Sequence, residues 1–212
     1  MKTTCALICA VFCLFLATPQ SKAGSICNAI PGNLVTNCGF ETGDFTGWTL
    51  TGNDVPAELG NLYGVEGTDP FDGISPNSGN SQAYIADLVA NSTTLSETLT
   101  TIPGVQYSIS WYLAQDTAIV VPYSNAFSAS FGSATLASLT AVPVEGYTRY
   151  SSVATATSSS TALSLKLGND LGEFLLDDVT VSAVPEPAAW TLALGGVALV
   201  FVLHRRRLTG TV

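Results

Sequence analysis

Apolar and polar residues alternate along much of the middle of the chain. The segment QYSISWYL at residues 106–113 carries Tyr, Ile, Trp and Leu at every second position, and residues 127–131 and 163–168 repeat the alternation. A period of two is typical of a β-strand with one buried face. No stretch of residues 24–183 shows the sustained periodicity of an amphipathic helix. The pattern therefore predicts an all-β domain.

Turn-forming residues separate these alternating segments. Examples are IPG at 102–104 and GND at 168–170, since Gly, Pro, Asn and Asp favour tight turns. The serine- and threonine-rich stretch at 151–161 lies between strong strand patterns, so we interpret it as two exposed strands joined by a turn rather than as a linker. Many short strands joined by turns indicate an antiparallel β-sandwich of the jelly-roll type over residues 24–183.

Residues 1–23 have the features of a secretory signal peptide. Lys2 provides a positive start, residues 5–17 are apolar but too few to span a membrane comfortably, and small residues ending at Ala23 precede Gly24. Signal peptidase reads small residues at these positions. We predict export of the chain and cleavage between Ala23 and Gly24.

The end of the chain has the features of a membrane-threaded tail. Two prolines end any preceding strand, because proline fixes φ and lacks an N–H donor. The 16 residues at 188–203 are mostly apolar and reach about 24 Å as a helix, somewhat less than the ~30 Å hydrocarbon core of a bilayer. The positive-inside rule places the basic cluster at 204–207 and the stub at 208–212 in the cytoplasm. The tripeptide segment and the arginines are Val184, Pro185, Glu186, Pro187, Arg205, Arg206 and Arg207.

This ordered set of features, over residues 184–207, resembles the PEP-CTERM sorting signal: a Pro-Glu-Pro tripeptide, a short transmembrane helix and a basic cluster. Proteins with this signal are exported by bacteria with Gram-negative envelopes, and an exosortase, a membrane protease, cuts near the tripeptide. The resemblance implies signal peptidase and exosortase as partners, transient anchoring in the inner membrane, and a final location at the cell surface or outside the cell. The same tail is also labelled the C-terminal domain of ice-binding-type proteins. The alternative is an ordinary single-pass anchor that is never cut.

Export decides the interpretation of the cysteines. Three of the five lie within the signal peptide, which leaves Cys27 and Cys38 in the mature chain. Two thiols in an exported domain most simply form one disulfide. The alternative is a pair of free or intermolecular thiols.

The domain is strongly acidic. Of the seven basic residues only Arg149 and Lys166 lie within residues 24–187, whereas all sixteen acidic residues do. Such a surface repels a phosphate backbone, which argues against nucleic acid as a partner. It can attract divalent cations or keep an extracellular protein soluble, and solubility is the commoner role.

The sequence argues against catalysis. The only histidine, His204, lies in the tail, so a Ser-His-Asp or Cys-His arrangement cannot form in the exported domain, and histidine-based metal chemistry is excluded too. A pair of carboxylates for glycoside cleavage is the remaining option. With sixteen acidic residues, some pair of carboxylates will always lie close together, so such a pair is no evidence of catalysis. We therefore predict that the protein is not an enzyme.

Two motifs at the ends of the domain refine the fold prediction. NLVTNCGFETGDFTGW at 33–48 and FLLDDVTV at 174–181 resemble the opening and closing strands of galactose-binding-like jelly-roll domains, the fold of many carbohydrate-binding modules. The segments between them also resemble that family's strands. Cys38 stands where glycine is usual in the family, a departure that a bond to Cys27 explains. The resemblance implies that the first and last strands lie close together.

The same resemblance implies a structural calcium site formed by Glu41, Asp177 and Asp178. Calcium prefers carboxylate and carbonyl oxygens, and the three residues supply the charges if the two strands meet. By simple alternation Asp177 shares its side of the strand with Val179, so one of the two aspartates points toward the core side and needs a partner. The alternative partner is a set of backbone N–H groups.

The loop TDPFDG at 68–73 is the next candidate site. Exposed aromatic rings stack on sugar rings and carboxylates accept hydrogen bonds from sugar hydroxyls. We therefore consider Tyr63, Asp69, Phe71 and Asp72 as carbohydrate contacts. The alternative is that Tyr63 and Phe71 only fix a long loop in place.

Together these features predict a non-enzymatic exported protein of the cell surface or extracellular matrix, whose jelly roll binds extracellular polysaccharide. The alternative is a purely structural or adhesive surface protein without a small ligand. A polysaccharide-active enzyme or an ice-binding protein is less favoured.

Overall fold

The computed structural model describes residues 24–52, 62–70, 72–116, 124–170 and 172–185. The predicted signal peptide and the tail from residue 186 onward, with its transmembrane segment and basic cluster, lie outside these ranges. Within the described ranges, no helix has the length and apolar character needed to cross a membrane.

The described part of the chain folds into ten strands and two short 3₁₀ helices, at Ile26–Ala29 and Val89–Asn91. The strands are β1 Thr49–Thr51, β2 Tyr63–Glu66, β3 Gln82–Ile85, β4 Thr93–Thr100, β5 Gln106–Gln115, β6 Asn125–Phe131, β7 Ala134–Thr140, β8 Glu145–Thr155, β9 Ser160–Asn169 and β10 Phe174–Ala183.

The strands form two five-stranded sheets. Sheet I has the order β1-β4-β9-β6-β7 and sheet II the order β2-β3-β10-β5-β8, and neighbours in both sheets pair antiparallel. The predicted all-β sandwich is thus confirmed. The serine- and threonine-rich stretch forms the end of β8, a turn and the start of β9, as the sequence predicted.

Alternating apolar residues from both sheets meet in one core. Trp111 of β5 stacks on Phe127 of β6 at a ring distance of 5.6 Å, and Phe127 also meets Phe174 of β10 edge to face. Trp48 is buried and stacks on Phe40 at 5.8 Å. Aromatic pairs of this kind add about 0.5–1.5 kcal/mol beyond the area they bury. These contacts hold the inner faces of the two sheets together.

The opening motif lies beside β10, as the resemblance implied. The backbone N–H of Leu34 donates to the carbonyl of Val181, and the N–H of Val179 donates to the carbonyl of Cys38, both at 2.8 Å. Residues 33–35 have no regular secondary structure and residues 36–39 form a turn, so this segment is not a regular strand. The two ends of the domain are therefore joined by direct hydrogen bonds.

A disulfide between Cys27 and Cys38 reinforces this junction. Their Cα atoms are 6.1 Å apart and the two residues are 11 positions apart in the chain. The predicted pairing is confirmed. A loop of this size contributes about 3 kcal/mol in the chain-entropy model.

The strand β10 departs from the simple alternation that the sequence suggested. Its register with β5 shifts between Asp177 and Thr180, as in a β-bulge, and Asp178 has a φ of 49°. Leu176 and Val179 both belong to the hydrophobic core. The expectation that Asp177 shares its side with Val179 was therefore wrong, because a bulge inserts an extra residue and inverts the alternation after it. Neither aspartate belongs to the hydrophobic core.

Candidate functional site

The outer face of sheet II, which points away from the core, collects polar and aromatic side chains. These residues alternate with core residues such as Ala83 and Leu113, so the pleat of each strand directs them outward. The outer face carries Glu66 of β2, Gln82 and Tyr84 of β3, Tyr112 of β5, and Tyr147 and Arg149 of β8.

A hydrogen bond crosses the middle of this face. The hydroxyl of Tyr147 donates to Oε1 of Gln82 at 2.7 Å, although β10 and β5 lie between their strands. Three strand spacings amount to roughly 14 Å, so the two side chains extend toward each other across both intervening strands. Burial raises the pKa of Tyr147, and the carboxylates of Asp177 and Asp178 add to the rise.

One end of the face holds a pocket of about 170 Å³ beneath the first 3₁₀ helix. Within it the half-buried ring of Tyr112 lies near the exposed guanidinium of Arg149. An aromatic ring beside hydrogen-bonding groups suits a small hydroxyl-bearing ligand. The pocket is lined by Ile26, Cys27, Ile30, Ser110, Tyr112, Arg149, Asp178 and Thr180.

Five carboxylates form an acidic cluster at another part of the same sheet: Glu66, Asp69, Asp72, Asp116 and Glu173. Oxygens of Glu66, Asp69 and Glu173 lie within 4.8 Å of one another, and so do oxygens of Asp69, Asp72 and Asp116. Asp116 directly follows β5 and Glu173 directly precedes β10. The N–H of Glu173 donates to Oδ1 of Asp116 at 2.5 Å, which holds the two strand ends together.

Burial and mutual repulsion raise the pKa values in this cluster. Burial raises the pKa of Glu173 to about 8, and Glu66, Asp116, Asp69 and Asp72 add to the rise. Burial likewise raises the pKa of Asp116 to about 6 and that of Glu66 above its usual value. Glu173 is only 6% exposed, and its Oε1 has no hydrogen-bond partner among the described residues. The cluster thus brings five carboxylates together, of which Asp69, Asp116 and Glu173 are buried.

The ring of Tyr84 lies next to the acidic cluster. It covers Gly64 of the neighbouring strand, where a Cβ atom would come within 2.6 Å of the ring carbon Cε1. Burial raises the pKa of Tyr84, and the charges of Glu66 and Glu173 raise it further. Glycine at position 64 therefore gives the ring its place beside the carboxylates.

The structure also brings Glu41, Asp177 and Asp178 together, around residues 77–81. Glu41 Oε1 accepts hydrogen bonds from the backbone N–H of Asn80 at 2.7 Å and of Ser81 at 3.1 Å. Asp177 accepts from the N–H of Ser78 at 3.1 Å, and Asp178 accepts from the hydroxyl of Ser78 at 2.7 Å. The opening and closing motifs thus meet at a third segment, which sequence reasoning did not identify.

This carboxylate set matches the chemistry of calcium, because it offers only oxygen ligands. Asp177 is fully buried, and burial followed by the charge of Asp178 raises its pKa to about 8. The N–H donors around Glu41 and Asp177 are the alternative partners that the sequence left open. Among the described residues, these three do not form a group with ligand oxygens within 4.8 Å of one another. Calcium here stays a prediction.

The predicted carbohydrate contacts lie in different places. Tyr63 packs against the core and its ring is 6.1 Å from that of Phe45, so it does not face outward with the other tyrosines. Asp69 and Asp72 belong to the acidic cluster, and Phe71 lies outside the described residues. The sequence analysis did not identify Glu66, Tyr84, Asp116, Tyr147, Arg149 and Glu173 as site residues. In the sequence these residues stand at strand ends or alternate with the apolar core positions, and this placement is the signal that could have identified them.

A second pocket, of about 220 Å³, lies on sheet I. Its lining includes Ser128, Ser138, Thr140 and Lys166. The one aromatic residue in the lining, Phe127, is only 1% exposed and belongs to the core. This pocket therefore offers hydroxyls and an amine but no accessible ring.

No protein-family model matches the chain, and no curated protein matches it. Solved structures with a similar fold include TmCBM61 in complex with beta-1,4-galactotriose, at a TM-score of 0.52 and 18% identity over 72% of this chain and 99% of that one. The enzymatically active domain of tailspike protein 4 from bacteriophage CBA120 has a TM-score of 0.51 and 15% identity, over 72% of this chain and 21% of that one. The CBM22-1 xylan-binding domain of Paenibacillus barcinonensis Xyn10C has a TM-score of 0.48 and 19% identity, over 79% and 99%. At these identities the likeness establishes the fold: an antiparallel jelly-roll sandwich like that of TmCBM61.

The bond across the outer face gives a direct test of its structure. We expect Tyr147→Phe to lower the free energy of unfolding by about 1–3 kcal/mol, because it leaves Oε1 of the fully buried Gln82 without its donor. Urea denaturation measures this change. The control is Tyr150→Phe on the same strand, whose ring stacks on Trp111; a change of less than about 0.5 kcal/mol is expected. Equal losses in both variants would contradict the assignment.

Proposed function

We propose that this domain is a non-catalytic module that binds polysaccharide through the outer face of sheet II. The observation that carries the proposal is the pocket in which Tyr112 and Arg149 lie together on that face. A tyrosine ring stacks on the apolar face of a sugar, and a guanidinium donates to its hydroxyls. TmCBM61, which shares the fold, is solved in complex with a galactose oligosaccharide, and this similarity supports the proposal.

The charge of the domain narrows the class of polysaccharide. Only two basic residues accompany the acidic residues of the exported part, and the carboxylates of Asp177, Asp178 and the acidic cluster lie on or beside the binding face. Acidic polysaccharides would be repelled by this field. The proposed ligand is therefore a neutral polysaccharide.

The proposed setting is the cell surface or the extracellular matrix. Signal peptidase removes residues 1–23, and an exosortase cuts near Pro185 and Pro187 while the tail is held in the inner membrane. The position of β10 supports a cut at this place: among the described residues it is the last strand, it ends at Ala183, and the N–H of Val184 donates to the carbonyl of Gln106. A cut at the tripeptide would leave the ten described strands intact.

A structural calcium ion at Glu41, Asp177 and Asp178 belongs to the same proposal. The three carboxylates come from the opening motif and from β10, and Asp177 is fully buried. An ion held there would stabilise the junction of the two ends, alongside the disulfide. The purely structural or adhesive role is the alternative function, and it needs no ligand on the outer face.

Binding is tested by affinity electrophoresis of the full chain in gels that contain neutral or acidic polysaccharides. We expect retardation by a neutral one, and we expect Tyr112→Ala to weaken it at least about tenfold, because truncating a central aromatic contact typically costs about 2 kcal/mol or more. Lys166→Ala, in the pocket of sheet I, is the matched control and keeps full affinity. Absence of retention on every polysaccharide would favour the structural role. Release of reducing ends would contradict the non-catalytic assignment.

Processing is tested by the intact mass of protein recovered from cells and medium of an exosortase-bearing host. We expect a mature chain that starts at Gly24 and ends near Pro187. Replacing both Pro185 and Pro187 by alanine removes the tripeptide, and the tail up to Val212 is then retained. A wild-type mass that still includes Val212 would identify the tail as a permanent anchor.

A further inference from the structure

Glu173 is a buried carboxylate, and one of its oxygens has no hydrogen-bond partner among the described residues. The residue is 6% exposed, and the oxygen without a partner is Oε1. Every charged neighbour that shifts its pKa is another carboxylate. A buried charge is tolerated only when it is paired, hydrogen-bonded or neutralised. The site must therefore take up either a cation or a proton.

The neighbours of Glu173 are arranged as a cation would require. Its carboxylate lies within 4.8 Å of oxygens from Glu66 and Asp69. Two oxygens bound to one Ca²⁺ ion, at 2.3–2.6 Å each, are at most about 4.6–5.2 Å apart, so oxygens within 4.8 Å of one another are close enough to share an ion. Mg²⁺ is usually held by only one or two protein carboxylates and keeps several waters, so a set of three carboxylates favours Ca²⁺. The ligand set contains neither histidine nor cysteine, which disfavours zinc.

We propose that Glu66, Asp69 and Glu173 form a Ca²⁺ site at the edge of the outer face of sheet II. This site is separate from the calcium predicted at Glu41, Asp177 and Asp178. Asp69 also belongs to the neighbouring group with Asp72 and Asp116, and these two carboxylates strengthen the attraction for a divalent cation.

The bound ion would also contribute to ligand binding, a step that rests on the proposed function. The ring of Tyr84 lies beside Glu66 and Glu173 and covers Gly64. Three carboxylates leave part of the six to eight oxygen positions of Ca²⁺ unfilled, so sugar hydroxyls can complete the shell while a sugar ring lies against Tyr84. The ion also offsets negative charge on this face.

The site is tested by calorimetric titration of CaCl₂ into the full chain after treatment with EDTA. We expect Glu173→Gln to abolish one equivalent of Ca²⁺ binding or to weaken it at least tenfold. In EDTA the same variant should still unfold cooperatively like the wild type, because glutamine has nearly the size and shape of the protonated glutamate. Glu66→Gln, at a half-buried position, is the second variant and should weaken the same equivalent.

Two control variants separate this site from other carboxylates. Glu145→Gln changes an exposed glutamate of β8 and should leave Ca²⁺ binding unchanged. Asp177→Asn should affect only binding at the other predicted site. The proposal is overturned if Glu173→Gln and Glu66→Gln bind Ca²⁺ like the wild type, or if the wild type binds none. The latter result would mean that a proton neutralises Glu173.

Polysaccharide retention with and without EDTA separates failure of the site from failure of the function. Weaker retention in EDTA and in Glu173→Gln, but not in Glu145→Gln, supports a cation that takes part in binding. Calcium binding without any retention would sustain the site and defeat the proposed function. Retention that is equal in EDTA, in a protein that binds no Ca²⁺ at Glu173, would sustain the function and defeat the site.

Discussion

The strand β10 lies at the centre of sheet II between β3 and β5, and the rest of the structure depends on its pairing. Residues 174–181 are all buried, because the core covers one face and the loops and the amino-terminal segment cover part of the other. The opening motif adds its own hydrogen bonds along Val179 and Val181. A change in the register of β10 would therefore displace both the core and the outer face.

The second constraint is electrostatic. The described part of the sandwich buries several carboxylates, among them Asp177, Asp178 and Glu173, and a buried charge without a partner is costly. Around Glu41, Asp177 and Asp178, the N–H and O–H groups of residues 77–81 provide hydrogen bonds. Glu173 has an oxygen without a hydrogen bond among the described residues. The two groups therefore differ in how far the described residues satisfy their buried oxygens.

The strands could be predicted from the sequence because a half-buried strand has apolar residues at every second position, as at residues 106–113. The disulfide followed from the export signal and from the number of remaining cysteines. The bulge in β10 was not predicted, because Leu175 and Leu176 offer two phases for the alternation and we followed the phase of Leu175 and Val179, whereas the structure places Leu176 and Val179 in the core. Simple alternation therefore gave the wrong side for Asp177.

The site was less accessible to prediction than the fold. Asp69 and Asp72 were identified from their loop, but their partners Asp116 and Glu173 lie far away in the chain and meet them only through the order of strands in sheet II. Tyr63 was considered as a contact because no alternating core pattern in the sequence includes it, but the pairing of β2 with β3 directs it toward the core. The pairing of strands that are distant in the chain brings these residues together, and a local sequence pattern does not contain that information.

The central claim is that the outer face of sheet II is the ligand-binding surface. A crystal structure of the protein grown with Ca²⁺ and an oligosaccharide of the retained neutral polysaccharide tests it most directly. We predict sugar density over Tyr112 and Arg149 or against Tyr84, and an ion between Glu66, Asp69 and Glu173. Sugar density only on sheet I, at the pocket that contains Lys166, would contradict the claim.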